Sequence, residues 1–242
     1  MNLGLYGSSG KMGAAIEKLI EQDQNKFFTP FLAVGKRTST LFAISVNDLR
    51  DVEQSVMSEV DVWIDFSSAE GLVNLLKFTQ NTKTPVVSGS TGLGPPDFSI
   101  LKKHSKSRPL FWASNLSPGL WTFRQAIKTF ASIKNFDFEI DEIHHNQKKD
   151  QPSGTAKTLQ IDVEKAIGRK INKPQSRRMG GVFGIHNVTA ASQNEVITFQ
   201  HQALNRSVFA EGALRAAAWL VKKKPALYLM DDMCLIKKEK GK

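Results

Sequence analysis

Residues 141 to 159 read DEIHHNQKKDQPSGTAKTL, with two adjacent imidazoles, two adjacent ammonium groups and a Pro-Ser-Gly-Thr turn close together. Such a set could ligate a metal, cradle a phosphate or move a proton, or it could be a polar loop between a strand and a helix. Neighbouring side chains on a strand point to opposite faces, so His144 and His145 should not serve one ion. Zinc would need two or three further ligands, and the other histidines are His104, His186 and His201. No metal is expected. A P-loop is not matched either, because Pro-Ser-Gly-Thr lacks the Gly-x-x-x-x-Gly-Lys-Ser/Thr frame.

The stretch does supply a strand ending in imidazoles, a cationic loop and a helix start. Ser153 suits an N-cap, which leaves the N–H groups of Gly154 and Thr155 and the Thr155 hydroxyl to meet an anion such as a carboxylate. Imidazole titrates near pH ~6.5. A bound anion favours its protonated form, so a histidine here could donate a proton at neutral pH, with Lys148 as a second cation. A capped helix after a polar edge strand would also explain Ser153 and Gly154, but not so many donors together.

A second set opens the chain. In GLYGSSGKMG, Gly7, Gly10 and Gly13 follow a short apolar run and precede an amphipathic one. Glycines there permit a tight turn and let a pyrophosphate approach the backbone at a helix N-terminus. The spacing Gly-x-x-Gly-x-x-Gly is one residue longer at the front than the usual dinucleotide fingerprint, and a structural glycine turn is the alternative. About 20 residues on, where an acidic side chain would hold the ribose 2′-hydroxyl of NAD, the chain reads AVGKRTS. Lys36 and Arg37 would attract a 2′-phosphate, so NADPH is favoured, with NADH possible; the bland reading is two surface cations. The loops SGSTGL and ASNLSPG suit contacts to nicotinamide or ribose, and equally suit plain turns.

These groups need elements to hold them. Strands are expected at Asn2 to Tyr6, Phe31 to Val34, Val60 to Phe66, Pro85 to Ser88 and Leu110 to Ala113, alternating with helical patterns at Ala14 to Ile20 and Leu72 to Leu76. That grammar predicts an α/β, Rossmann-like, doubly wound parallel sheet. After Asn115 it changes. A helical pattern through Leu120, Phe123, Ile127 and Phe130, the strand FDFEIDEIHH, a helix from near Ser153 and strand runs at 182–191 and 195–203 predict an α+β unit with a mixed sheet. RKINKPQSRRMGG reads as a loop able to close over a ligand. FAEGALRAAAWLVKK is a final helix, followed by ALYLMDDMCLI.

Composition bounds the partners. The chain has 242 residues, 40% hydrophobic and 23% charged, which is ordinary for a soluble globular protein. Its one cysteine, Cys234, excludes an internal disulfide framework, which suits a reducing, cytoplasmic setting. No apolar run reaches the ~18 residues of a membrane span, so no membrane is expected. The formal charge of +10 rests largely on Lys222, Lys223, Lys224, Lys237, Lys238, Lys240 and Lys242, read as a solvated helix end and a tail. Basic residues do not interleave with aromatics, so no nucleic-acid partner is expected. The alternative kept open is a nucleotide-sensing module with a basic nucleic-acid-binding surface. A thioester-forming semialdehyde dehydrogenase would need an activated cysteine, and Cys234 adjoins no helix start or histidine.

EIDEIHHNQKKDQPSGTAKTL resembles the His-His-x-x-Lys-x-Asp-x-Pro-Ser-Gly-Thr-Ala signature of the 4-hydroxy-tetrahydrodipicolinate (dihydrodipicolinate) reductases of diaminopimelate and lysine biosynthesis. GLYGSSGKMG, DVWIDFSS, SGSTGL, GGVFGIHNV, FAEGALRAAAWL and LYLMDDM extend the resemblance over the whole chain. It implies a dinucleotide-binding domain of residues 1–115 and 216–242, with a substrate-binding and tetramerisation domain of residues 116–215 inserted. NAD(P)H would pass a hydride to a cyclic dicarboxylate carrying a conjugated imine. The resemblance implies His144 as acid/base residue and Lys148 as proton donor. His145, Gly154 and Thr155 would hold substrate carboxylate, with Ser153 at the same helix start. Cofactor contacts are expected from Gly7, Ser8, Ser9, Gly10, Lys11, Met12, Lys36, Arg37, Phe66, Gly89, Ser90, Thr91, Ala113, Ser114, Asn115 and Leu116. The partners expected are a small dicarboxylate and further copies of the chain in a homotetramer. Asn146, Gln147 and Gln151 depart from the family's usual residues, and Gly35 stands where many members carry an acid. Ile185 replaces a frequent carboxylate, so any part that group plays in positioning His186 is expected to be lost.

Overall fold

The computed structural model describes residues 1–24 and 26–235. In chain order the elements are β1 Asn2–Tyr6, α1 Lys11–Gln22, β2 Thr29–Val34, β3 Ile44–Val46, α2 Gln54–Ser58, β4 Val62–Asp65, α3 Ala69–Phe78, β5 Val86–Ser88, α4 Pro95–His104 and β6 Pro109–Trp112. There follow α5 Pro118–Ile127, β7 Asp137–His144, α6 Gly154–Ile167, β8 Gln175–Arg178, β9 Gly184–Ala191 and β10 Val196–Ala203. The described chain ends with α7 Ser207–Leu220, β11 Ala226–Tyr228 and α8 Met230–Cys234.

Two compact units divide these elements: Met1–Leu116 with the segment from Arg206 on, and Ser117–Asn205. The first holds a seven-stranded sheet of order β11-β6-β5-β4-β1-β2-β3, parallel at every pairing. Its central strands β1, β4, β5 and β6 are short and mostly buried, as a sheet with helices on both faces requires. Ile16 and Ile20 of α1 join Ala210, Ala213, Ala216, Ala217 and Leu220 of α7 in one core cluster. Leu72, Leu75 and Leu76 of α3 and Leu101 of α4 belong to a second cluster with Leu32, Trp63, Val86 and Leu110. Strand order reverses between β1 and β4, the switch point outside which open α/β sheets hold their ligands.

The chain returns to this unit at Arg206, ahead of the residue 216 expected from the family pattern. The reason is α7, whose small residues let it lie close: a Cβ on Gly212 would fall 1.9 Å from the Leu116 carbonyl oxygen. Lys223, expected to be a purely solvated charge, places its ammonium 4.2 Å from the centre of the Trp219 ring. Lys237, Lys238, Lys240 and Lys242 lie outside the described residues.

The second unit is a four-stranded mixed sheet of order β10-β9-β7-β8, in which β9 is antiparallel to both β7 and β10 and β8 runs parallel to β7. Strand alternation gives β7 and β9 one buried face, where Phe138, Ile140, Val188 and Ala190 meet Leu120, Phe123 and Ile127 of α5 and Leu159, Val163 and Ile167 of α6. β8 corrects the expectation of an uninterrupted loop over 169–181. Only four polar residues, Gln-Ser-Arg-Arg, form it, with too little apolar alternation to be read as a strand; pairing with β7 makes it one. The same pairing makes β7 an interior strand rather than an edge strand.

Candidate active site

At the switch point β1 turns into α1 through Gly7, whose φ of +86° is open to glycine. A Cβ there would also sit 2.7 Å from the Phe66 carbonyl oxygen, and one on Gly13 would sit 2.2 Å from that of Ser8, so α1 packs hard against the turn. Gly10 caps α1 without a side-chain bond, and no acidic residue occupies its first turn. The leading N–H groups and the positive end of the helix are therefore presented where a pyrophosphate would fit. Lys11 is exposed at the helix start and Met12 is half-buried. The Ser8 side chain turns inward; its buried hydroxyl would lie 2.6 Å from a Cβ on Gly35. Ser9 Oγ accepts from the Lys36 backbone N–H at 3.2 Å, which ties the end of β2, with exposed Lys36 and Arg37, to the glycine turn.

Beside this turn lies a cleft of about 330 Å³, lined by Met12, Phe66, Ser67, Gly89–Thr91, Ala113–Leu116 and Phe209. Nine of the sixteen expected cofactor contacts thus share one wall system; Ser67 and Phe209 were not foreseen. Asp65, fully buried below the cleft, organises it. Its Oδ1 accepts from the Ser67 N–H at 2.9 Å and from the Ser67 hydroxyl, and its Oδ2 accepts from Ser88 Oγ at 2.7 Å and Ser90 Oγ at 2.8 Å. The helix start without a side-chain cap, the tight glycine turn and this cleft fit a nicotinamide dinucleotide.

In the second unit β7 ends at His144, and the chain turns through His145 to Lys148, whose N–H donates to the His145 carbonyl at 3.1 Å. His145 and Lys148 are half-buried, whereas Asn146 and Gln147 are exposed. Lys148 Nζ pairs with Asp150 Oδ1 at 2.7 Å. Burial acts to raise the Asp150 carboxyl, but bonds from Lys148 and the Gly154 backbone N–H hold it below its ordinary value. Ser153 is the N-cap of α6, its hydroxyl accepting from the Ala156 N–H at 3.2 Å. That hydroxyl also lies 3.2 Å from His186 Nε2, so the buried Ser153 is occupied in building the helix start. Nothing would meet a Cβ on Gly154, so there is room for a ligand at this turn of α6 beside half-buried Thr155, but the Gly154 N–H, expected to be left for an anion, donates to Asp150.

Three residues surround His144: Glu142 and Arg178, which the sequence did not single out, and His186, which it named only among possible metal ligands and in connection with position 185. Glu142, fully buried, faces His144 Nδ1 with Oε2 and receives both Arg178 Nη atoms on Oε1, each at 3.1 Å. Arg178 also donates to the carbonyls of Lys148 at 3.0 Å and of Asp150. His186 packs edge-on against His144 with ring centres 5.1 Å apart. Burial pushes the His144 pKa down, with the Lys148 and Arg178 charges adding to it and Glu142 opposing. Burial, followed by the His144 charge, takes His186 down to about 3, so it is neutral. Burial would raise Glu142, yet the Ser176 hydroxyl, His144 and Arg178 together leave it lowered. The sequence signal for Glu142 was its place two residues before His144, on the same strand face.

Glu142, His144 and His186 place their ligand-type atoms within 4.8 Å of one another, a spacing that a metal could use. The donor set argues otherwise: the carboxylate already takes both Arg178 Nη atoms on Oε1, and a dication would face that charge. Position 185 also needs correction. Ile185 pairs with Ile143, while His186 pairs with Glu142 on the opposite face of the sheet. A carboxylate at 185 would point away from His186, so this departure costs the site nothing.

A parallel sheet with a glycine turn at its switch point, in one chain with a mixed-sheet unit carrying a buried imidazole–carboxylate–guanidinium cluster, defines a two-unit Rossmann-type oxidoreductase. Residues 1–116 match the family model for the dihydrodipicolinate reductase N-terminus, and residues 119–234 match that for its C-terminus. A 4-hydroxy-tetrahydrodipicolinate reductase of Bdellovibrio bacteriovorus is 45% identical over 99% of both chains. That of Caldanaerobacter subterraneus is 37% identical over 96% of this chain and 98% of its own. The dipicolinate-bound dihydrodipicolinate reductase of Paenisporosarcina sp. TG-14 shares the fold with a TM-score of 0.78, at 17% identity over 97% of this chain and 99% of its own. The chain belongs to the dihydrodipicolinate reductase family and is an NAD(P)H-dependent oxidoreductase. These relatives give no support to the nucleic-acid-binding alternative.

Proposed function

We propose that the chain reduces 4-hydroxy-tetrahydrodipicolinate to tetrahydrodipicolinate with loss of water, in diaminopimelate and lysine biosynthesis, and that it prefers NADPH to NADH. The observation that carries this reading is the convergence of His144, Lys148 and the open first turn of α6 at the end of β7. Loss of the 4-hydroxyl as water leaves a conjugated imine. When bound, NAD(P)H would supply a hydride to it, and the electron pair of the imine would move toward the ring nitrogen. A cation near that nitrogen stabilises the charge as it develops, more than in the ground state. Lys148 gives the proton, His144 acts as acid/base group, and His145, Gly154 and Thr155 hold carboxylate. Ser153 contributes by building the helix start.

On the cofactor side, Gly7 to Met12 would hold pyrophosphate, and Phe66, Gly89–Thr91 and Ala113–Leu116 would receive the nicotinamide end. Lys36 and Arg37 supply the preference for a 2′-phosphate, because no carboxylate stands at the end of β2 to repel it. The reading carries with it a homotetramer, a substrate-binding role for residues 117–205 and a cytoplasmic setting. Among the described residues no helix is long and apolar enough to cross a membrane. Condensation of pyruvate with aspartate semialdehyde, coupled to NADPH oxidation by the purified protein, tests the activity. Absence of oxidation overturns it.

A further inference from the structure

The buried face of the second sheet carries one polar row from edge to edge. His201 pairs with His186, His186 with Glu142, and Glu142 with Ser176. Paired residues share a face, so these four side chains stand side by side next to the apolar row of Ile140, Val188 and Phe199. A carboxylate in such a place needs donors on both oxygens. Oε1 of Glu142 has them in full: the two Arg178 Nη atoms at 3.1 Å and the Ser153 N–H at 3.3 Å. Oε2 faces His144 Nδ1, and the Ser176 hydroxyl beside Glu142 in the row also bonds to the carboxylate.

We infer that Glu142, held by Arg178, is a positioning residue that fixes the tautomer and the ring plane of His144. An ionised carboxylate is acceptor-only, so the nitrogen it faces carries the proton. Nε2 is then the ring nitrogen at which a proton is gained or lost, and Nδ1–H stays fixed through the cycle. The ring is fenced on its other sides. A Cβ on Gly184 would come within 3.1 Å of Nε2, and His186 lies edge-on at a 75° interplanar angle. Arg178 links this to Lys148, because the guanidinium that saturates Glu142 also holds the Lys148 and Asp150 carbonyls. One arginine thereby sets the imidazole and the ammonium in a common frame. The charged and titratable groups facing His144 are Glu142 on its own strand, Arg178 on β8, His186 on β9 and Lys148 on the following loop.

The inference rests on His144 being the acid/base group, and the test separates the two. Nitrogen-15 NMR of histidine-labelled wild-type protein, with His144 assigned by comparison with His144→Gln, reads the tautomer directly. Nδ1–H with a bare Nε2 is expected at high pH, and the reverse tautomer overturns the inference with no variant of Glu142 needed. Glu142→Gln should lower kcat by about 10²-fold or more while the Kd for NADPH stays within about twofold, because the dinucleotide unit is untouched. Loss of the carboxylate also lets the His144 pKa fall further, so the limb of the kcat/KM profile set by protonated His144 moves to lower pH. A residue that only supports the fold would lower yield and melting temperature without moving that limb. If Glu142→Gln does not fold, Glu142→Gln with Arg178→Met leaves no unpaired buried charge and should show a limb displaced in the same direction by less, because the Arg178 charge that lowers His144 is removed too. Wild-type kcat and an unmoved limb in either variant overturn the positioning role. Full activity in His144→Gln instead overturns the underlying assignment of His144, whatever tautomer is found.

Discussion

Asp65 gives the most demanding test of how the proposed cofactor cleft is built. Its carboxylate is fully buried and gathers three serine hydroxyls and a backbone N–H from the loop after β4, the end of β5 and the loop after β5. Asp65→Ala removes the common acceptor. Each buried donor left without a partner costs about 1–3 kcal/mol. Serine hydroxyls can turn to other acceptors, and removal of a buried carboxylate recovers its desolvation cost, so the net loss is about 3 kcal/mol. For a chain of this size that lowers Tm by about 6–12 °C. Phe66, Ser67 and Gly89–Thr91 line the cleft, so their loosening should raise the KM for NADPH about tenfold with a smaller change in kcat. Asp65→Asn keeps one acceptor and offers an amide that rotated hydroxyls can accept from, and should cost only about 1 kcal/mol.

The same residue has a pH signature. Burial raises the Asp65 carboxyl above its ordinary value, against the pull of Ser67, Ser88 and Ser90. The folded state therefore binds this proton more tightly than the unfolded chain. Between the ordinary carboxylate range and the raised folded value, this contribution makes stability fall as pH rises. Asp65→Asn has no such proton, so the difference in Tm between wild type and variant should drift with pH in that window. Differential scanning calorimetry across pH 4 to 8 and NADPH-dependent kinetics measure both effects. An Asp65→Ala protein with Tm within about 2 °C of wild type and an unchanged KM for NADPH would refute the reasoning.

Three further outcomes follow from the geometry. Lys36→Glu should raise the KM for NADPH by about 10²-fold and leave that for NADH nearly unchanged, because a carboxylate repels only the 2′-phosphate; equal effects on both cofactors refute the assignment. Asp150→Asn weakens the ion pair of Lys148 and the bond from the Gly154 N–H, so a dicarboxylate should meet less competition at these donors. The inhibition constant of pyridine-2,6-dicarboxylate should fall a few-fold, about 1 kcal/mol for a half-exposed pair, and isothermal titration calorimetry reads it. His186 is depressed to about 3, first by burial, so its contribution to stability is present above the unfolded value near 6.5 and is lost as pH falls toward 3. His186→Gln, which can still meet Ser153 Oγ, should flatten that acid limb in urea unfolding, and an unchanged limb counts against a neutral buried His186.

Much of this site is legible in local sequence because local sequence makes it. The turn at Gly7 needs a left-handed residue, the packing at Gly13 needs no side chain, and the N-cap of α6 needs a small hydroxyl; each leaves its mark at its own position. The strands β1, β2, β4, β5 and β6 are short apolar runs with turn residues at their ends, and they too announce themselves. β8 does not, since its strand character comes from β7 and its residues are polar on both sides.

The groups around His144 are hidden for the same reason. Glu142 and Asp150 are ordinary acidic residues in a polar stretch, and Arg178 lies in a segment whose composition says loop. What makes Glu142 matter is register. His186 stands opposite it across an antiparallel pair, and Arg178 reaches it from a parallel strand 36 residues on. No spacing along the chain encodes those distances. They can be recovered once the sheet order is known, because alternation then fixes which residues share the buried face. The sheet places a carboxylate behind one histidine and a guanidinium behind the carboxylate, an order that the row of donors along the sequence does not show.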